Sequence, residues 1–337
     1  MLTEKTTKIW DKFLEFGNTK DVSEYLGIPI RTVQHHLKLY REHALGSNNS
    51  EPKNILNNER SIFEEEHRGL NKALISAKSP PKSVQFGHQL TDTIEDGVVL
   101  VFSDAHIIPK MLSVAQKALL KVCSLIEPDI VINLGDIFDF SSISSYDKHS
   151  WVEGFSVEEE LAAGVDFLKD IQRVTPRSKK YFLYSNHDCR FNKFLAKHAP
   201  QFKGIKGFSL EDHIPDEWIN CMSLSLNKNT MFLHQFNGGV HAGYNNVVKS
   251  GISTVTGHTH ILECKPFTDY TGTRFGIQTG TLAAIKDNPF FNYTIGTPLN
   301  WIAGFAILTY VGGELQMPEF CTVNNKNQAI FRGKLVD

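Results

Sequence analysis

Val98-Val99-Leu100-Val101-Phe102-Ser103-Asp104-Ala105-His106 and Ile130-Val131-Ile132-Asn133-Leu134-Gly135-Asp136-Ile137-Phe138-Asp139 are the stretches on which the fold of this chain turns. Each is a short β-branched and aromatic run that stops at a polar motif, the pattern of a buried strand. Between them, residues 111–126 carry apolar side chains at helical spacing, with Pro128 beyond as a stop. Strand, helix, strand predicts a layered α/β domain. Three more runs repeat the arrangement. Residues 181–184 precede Asn186-His187-Asp188, residues 231–233 precede His234, and residues 253–256 precede Gly257-His258-Thr259-His260. Sites in α/β folds collect where strands end, so five motifs placed in this way can converge.

The motifs share one chemistry. Asp104, His106, Asp136, Asn186, His234, His258 and His260 offer carboxylate, amide and imidazole donors, enough for two divalent metal ions. Asp104 and His106 lie on one turn and can share an ion. Asp136 has two oxygens and is the natural bridge. His258 and His260 stand two apart, on one face if the segment is extended, to serve the same ion or one each. His187 is free to act as a general acid or to steady developing charge. Asp139 and Asp188 would hold imidazoles in orientation, with a plain helix cap as the alternative for Asp139. Arg190 would grip a phosphate oxygen or else form a surface salt bridge. Two ions a few Å apart activate water and clamp an ester, most often a phosphate ester. The mixed donor set suits Mn²⁺, with Fe, Zn and Mg²⁺ as alternatives. A loop over residues 141–155 carries Tyr146, Lys148, His149 and Trp151, side chains suited to stacking bases and gripping a strand, with Trp151 as an anchor for the next helix over 157–173 as the equal alternative. His241, on a glycine-rich loop, is a further candidate for the pocket. Residues 300–305, Trp301 included, read as the start of a core strand.

In this order, Asp-x-His, Gly-Asp-x-x-Asp, Asn-His-Asp, His and Gly-His-x-His make residues 97–310 resemble the calcineurin-like metallophosphoesterase superfamily. The resemblance implies an α/β, four-layer α-β-β-α sandwich of two mixed sheets flanked by helices. It implies one metal on Asp104, His106, Asp136 and His260, and a second on Asp136, Asn186, His234 and His258. His187 would be the catalytic histidine near the leaving group. Ser185 stands where the family usually has glycine, a change tolerated if φ there is negative. The sequence around Ser103-Asp104-Ala105-His106-Ile107-Ile108-Pro109 looks like members encoded by bacteriophages or prophages, which would work in a host cytoplasm.

Residues 1–45 read as a separate all-α domain. Ile9, Phe13 and Phe16 share a helical face. Thr19 can cap a second helix, Gly27 closes it and Pro29 opens a third. Two helices joined by a tight glycine turn resemble a DNA-binding helix-turn-helix, with residues 29–40 as recognition helix. Arg31, Thr32, Gln34, His35 and Lys38 would then face the major groove or the phosphates. Seven Lys or Arg against six Asp or Glu in 1–45 leave a net charge of +1, a thin footprint, so a module for protein contacts is the alternative. Residues 46–96 read as a linker containing a helix over 55–78, which could pair with another subunit. Residues 97–337 form the metallophosphoesterase domain.

Composition narrows the field. A formal net charge of −2 excludes a globally basic binder, so any affinity for DNA is local. No apolar run reaches the length of a membrane span, and the start lacks a signal-peptide core. Five scattered cysteines fit a reducing cytoplasm and argue against zinc-thiolate sites. The expectation is a two-metal phosphodiesterase acting on nucleic acid, a DNA nuclease aimed by its N-terminal domain. One rival is a phosphatase for a phosphoprotein or small nucleotide, with that domain as a docking module; the other, a non-enzymatic DNA-binding regulator with a vestigial metal fold, is disfavoured by the intact ligand set.

Overall fold

A computed structural model describes residues 3–16, 19–46, 88–145, 154–285 and 299–336. They fall in two units, one within Met1–Pro80 and one within Pro81–Asp337. The helix expected over 55–78 lies outside the described residues, as do Tyr146, Lys148, His149 and Trp151.

The N-terminal unit has three helices, α1 (Glu4–Phe16), α2 (Thr19–Leu26) and α3 (Ile30–Gly46). Ile9, Val22, Val33 and Leu37 form its core, with Phe13, Phe16 and Leu26 packed around them. Thr6 Oγ1 lies 2.9 Å from His36 Nδ1 and ties α1 to α3. Gly27 joins α2 to α3 with φ of 63°, a left-handed turn that costs glycine no Cβ clash. Arg31, Gln34, His35 and Lys38 are exposed, while Thr32 is half-buried. Their i, i+3, i+4, i+7 spacing places the four exposed residues on one face of α3.

The C-terminal unit begins with β1 (Gln89–Asp92), β2 (Gly97–Phe102), α4 (Val114–Ile126), β3 (Ile130–Asn133), α5 (Val157–Val174), β4 (Lys179–Leu183), α6 (Cys189–His198) and β5 (Trp218–Cys221). It continues with β6 (Ser223–Leu226), β7 (Thr230–Leu233), α7 (Ala242–Ser250), β8 (Ser253–Thr256), β9 (Leu262–Asp269) and β10 (Gly272–Thr279). Five strands follow: β11 (Gly304–Val311), β12 (Glu314–Leu315), β13 (Glu319–Val323), β14 (Ala329–Phe331) and β15 (Lys334–Leu335). One sheet has the order β1-β6-β7-β8-β10-β9. The other runs β15-β14-β13-β11-β2-β3-β4-β5, with β12 beside β11. Strands β2 to β5 are parallel, and so are β7, β8 and β10, so their carboxyl ends point the same way within each sheet.

Side-chain alternation explains the layering. Val99 and Val101 join Leu224, Phe232, Val255 and Ile277 in the core between the sheets. Their neighbours Leu100 and Phe102 join Leu119, Phe167 and Leu168 in the core beneath α4 and α5. A strand buried on both faces must be apolar throughout, which is why β2 and β3 read as unbroken runs. On the outer face of the first sheet, α7 is anchored by Gly243 N donating to Glu263 Oε1 at 3.3 Å and by Tyr244 against Phe267. The result is an α-β-β-α sandwich.

Three boundaries differ from expectation. The first core helix starts at Val114, not 111, because Ser113 caps it. Ser113 Oγ accepts from Gln116 N, and Gln116 Oε1 accepts from Ser113 N, a complete capping box. The strand expected from residue 300 starts at Gly304. Part of the stretch read as linker forms β1, which pairs in parallel with β6.

Candidate metal centre

The five motifs sit past the carboxyl ends of β2, β3, β4, β7 and β8. Backbone hydrogen bonds knit them together: Asp104 N donates to Gly135 O, His106 N to Asp136 O, and Gly257 N to His234 O. Gly135 has φ of 111°, and a Cβ there would stand 2.6 Å from Ser185 Cβ and 3.0 Å from Leu183 O. The β3 turn and the β4 turn can approach this closely only with glycine at that position. Asp104, His106, Asp136, His258 and His260 all adopt left-handed φ, between 38° and 70°. That conformation is uncommon for non-glycine residues, and its concentration here marks a strained, functional site.

Besides a cluster of His106, Asp139 and His187, two ligand groups result. Asp104, His106 and His260 bring one donor atom each within 4.8 Å of one another, and so do Asp136, His234 and His258. Asp136 links them: its Oδ2 is 3.6 Å from His106 Nε2 and 3.4 Å from His234 Nε2. His260 Nε2 lies 3.1 Å from Asp104 Oδ1, and His258 N donates to Asp104 Oδ2 at 2.9 Å. The segment holding His258 and His260 is not extended; its two left-handed residues separate the rings, one to each group. Asn186 stands exposed in the turn after β4, directly before His187.

The donors fit cations. His234 Nδ1 is 3.1 Å from Leu134 O, a pure acceptor, so Nδ1 carries the hydrogen. That leaves Nε2, buried and without an aligned hydrogen-bond partner, turned toward Asp136. Burial would raise the Asp136 carboxyl, yet the His234, His187 and His106 rings hold it well below the usual range. Burial lowers His234, but Asp136 and Asp104 overcome it and push the ring up to about 9. Burial pulls His106 and His258 down. A cluster of anionic carboxylates that draws a proton onto His234 is one that a divalent cation would satisfy better. Metal binding should therefore release close to one proton from His234 at pH 7, since a ligating imidazole is neutral. Calorimetric titration with Mn²⁺ in buffers of different ionisation enthalpy reads this number. No release at pH 7 would show that His234 is already neutral.

Beside the two groups, Asp139, His187 and Arg190 form a network. Asp139 Oδ1 is 2.7 Å from His187 Nδ1 and 3.7 Å from His106 Nδ1. Arg190 Nη1 donates to Asp139 O at 2.7 Å, and Nη2 lies 3.3 Å from His187 Nε2. Arg190 pairs with Asp139, and its half-buried guanidinium closes the network around His187. Burial lowers His187, and Asp136 and Asp139 outweigh it to raise the ring. Asp139 is an imidazole partner, not a helix cap.

Asp188 departs from expectation. Its carboxylate holds no imidazole; it accepts from Asp136 N at 2.9 Å, Phe138 N at 3.2 Å and Ser185 Oγ at 2.7 Å. It fastens the β3 turn to the β4 turn. Burial and Asp136 push it up to about 6. Ser185 has no left-handed φ, and its hydroxyl also accepts from Asp188 N at 3.0 Å, so serine in place of glycine adds a bond. His241 is exposed just before α7.

Two residues were not singled out from the sequence. The Trp301 ring, read as core, lies 4.2 Å from the His260 ring and is half-buried. Glu160 is buried in the first turns of α5, its Oε2 without a hydrogen-bond partner, and burial and Asp139 push its carboxyl up to about 8. Helical phase within Glu158-Glu159-Glu160 could have marked it as inward-facing; for Trp301 the sequence holds no comparable signal.

No family model matches the chain. It is similar to the gene 54 protein of Mycobacterium phage L5, 28% identical over 230 residues, covering 58% of this chain and 82% of that protein. The gene 54 protein of Mycobacterium phage D29 is 26% identical over 227 residues, with the same shares covered. Among solved structures, Yfce, a phosphoesterase from E. coli, is 14% identical with a TM-score of 0.32, covering 66% of this chain and 97% of that one. The Pseudomonas putida nuclease MPE is 12% identical with a TM-score of 0.31, covering 64% and 85%. At such scores the fold assignment rests on the sheets and layers described above. Among the described residues, no helix is long and apolar enough to cross a membrane.

Proposed function

We propose that the protein is a metal-dependent phosphodiesterase that hydrolyses nucleic acid, a DNA nuclease whose N-terminal unit aims it at duplex. The reading is carried by one observation: two ligand groups joined by the Asp136 carboxylate at the ends of five strands. Asp104, His106, Asp136 and His260 would hold one divalent ion, and Asp136, Asn186, His234 and His258 the other. Such ions, when bound, supply Lewis-acid stabilisation of phosphoryl oxygens and a more acidic water. His187, held by Asp139 through Nδ1, carries the proton destined for the departing oxygen. Arg190, whose Nη2 lies 3.3 Å from His187 Nε2, only donates, so it would turn from that nitrogen to the phosphoryl oxygens when Nε2 carries the proton. Asp188 and Ser185 keep the β3 and β4 turns in register.

The nucleic-acid substrate is supported by the α3 face of Arg31, Gln34, His35 and Lys38, exposed at spacing suited to groove contact, with Thr32 beside it. The phage origin of the similar proteins fits a protein acting in a host cytoplasm. Linear and circular DNA, single- and double-stranded, incubated with Mn²⁺ test the reading; metal-dependent cutting supports it. If only a small chromogenic phosphoester is cleaved, the substrate is a phosphoprotein or nucleotide and the N-terminal unit a docking module. Deleting residues 1–45 should weaken duplex binding at least about tenfold, given several lost phosphate contacts, with the chromogenic diester hydrolysed as before. Loss of both would contradict the modular arrangement.

A further inference from the structure

We infer that α6 and the segment after it, through Phe208, form a track for an unpaired nucleic-acid strand leading to the metal centre; this deepens the nucleic-acid reading and rests on it. Residues 189–210 contain Arg190, Lys193, Lys197, Lys203 and Lys206 and no Asp or Glu, in a chain whose net charge is −2. The four lysines are exposed. Glu211 and Asp212, which end the stretch, are engaged in folding it. Glu211 is buried and accepts from Asn192 Nδ2 at 3.0 Å, and Asp212 Oδ2 accepts from Gly207 N at 2.9 Å and Ser209 Oγ at 3.1 Å. The surface therefore presents concentrated positive charge, complementary to a polyanion.

Aromatic rings are interleaved with this charge. Phe202 and Phe208 stack at 4.6 Å and 4° while 37% and 38% exposed. Phe194 is 38% exposed and lies 4.6 Å from the His198 ring. Exposed rings alternating with lysines match a strand that alternates flat bases with phosphates. Duplex hides its base faces, so the matching occupant is unpaired. Direction follows from α6: Arg190, Lys193, Phe194 and Lys197 fall at i, i+3, i+4 and i+7, one helical face. That face starts at Arg190, which is bonded to Asp139 beside His187.

The test is anisotropy of a short labelled oligodeoxynucleotide that forms no duplex, with the full chain in EDTA. K203A/K206A should flatten the plot of log affinity against log salt by about 1.4, two phosphate contacts at single-strand slope. F202A/F208A should weaken binding about tenfold per ring with the slope unchanged, because stacking releases no counterions. Both pairs should keep wild-type hydrolysis of the chromogenic diester and wild-type duplex affinity, and lose cutting of single strands in step with binding. Unchanged oligonucleotide affinity in both pairs, with the wild type cutting DNA, overturns the track alone. Binding to phosphatidylserine vesicles that falls in the variants while oligonucleotide affinity does not would reassign the surface to lipid. A wild type that hydrolyses the diester but neither binds nor cuts nucleic acid overturns the parent reading as well.

Discussion

Asp136→Asn should lower hydrolysis of even a small activated phosphodiester by about 10³-fold or more, with the fold retained. The size follows from what the carboxylate does, since removing one well-placed electrostatic group from a water-poor site commonly costs about 10²–10³. Here the lost group faces both ligand sets, His106 Nε2 at 3.6 Å and His234 Nε2 at 3.4 Å, through one oxygen. Its other oxygen accepts the His187 amide at 3.3 Å. An asparagine keeps the shape but has one acceptor oxygen and no charge, so it cannot serve both groups. The backbone contribution survives: Asp136 N donates to Asp188 whatever the side chain. The variant should therefore melt as the wild type does yet bind fewer than two ions per chain, by elemental analysis after dialysis. The same substitution should return His234 toward its ordinary range, since Asp136 is the main group raising it. Wild-type turnover with one ion per chain would remove Asp136 from the bridge and with it the two-metal reading.

Why the centre could be found from sequence, and where that stopped, follows from locality. Asp104, Asp136, His187, His234 and His258 each close a strand within a few residues, so the run and its motif appear together in the chain. Which ions His258 and His260 would serve was not decidable from a spacing of two. Their left-handed backbones set it, and those depend on packing against Asp104, which accepts the His258 amide. Asp188 was misread because its neighbour in sequence, His187, is not its partner in space; the partners are amides of Asp136 and Phe138, about fifty residues earlier. Trp301 reaches His260 from just before β11, a contact between distant segments that no local pattern encodes. The basic and aromatic surface of α6 escaped for a related reason: its lysines are spread through 193–206 and become a patch only once the helix and turns fold. The edge strand β1 is short, half-exposed and polar, and takes its strand character from pairing with β6.

His187→Ala should reduce kcat by about 10²–10⁴, the usual contribution of a positioned proton donor. Asp139→Asn should cost less, about 10–100-fold, because the asparagine still orients the ring without its charge. The two differ in pH dependence. His187 is raised above its ordinary value against the effect of burial, first by Asp136 and then by its bond to Asp139. A proton donor works below its own pKa and fails as pH rises through it. Taking away the Asp139 charge lowers the His187 pKa, so the alkaline limb of the kcat profile should move to lower pH in Asp139→Asn. In His187→Ala that limb should disappear. A substrate with a very acidic leaving group, which departs without a proton, should recover much of the loss in both variants, whereas a poor leaving group should show all of it. If Asp139→Asn lowered kcat with the limb unmoved and no dependence on the leaving group, the Asp139 carboxylate would be acting only as a brace for Arg190, whose Nη1 lies 3.4 Å from its Oδ1. The proton would then have to come from elsewhere.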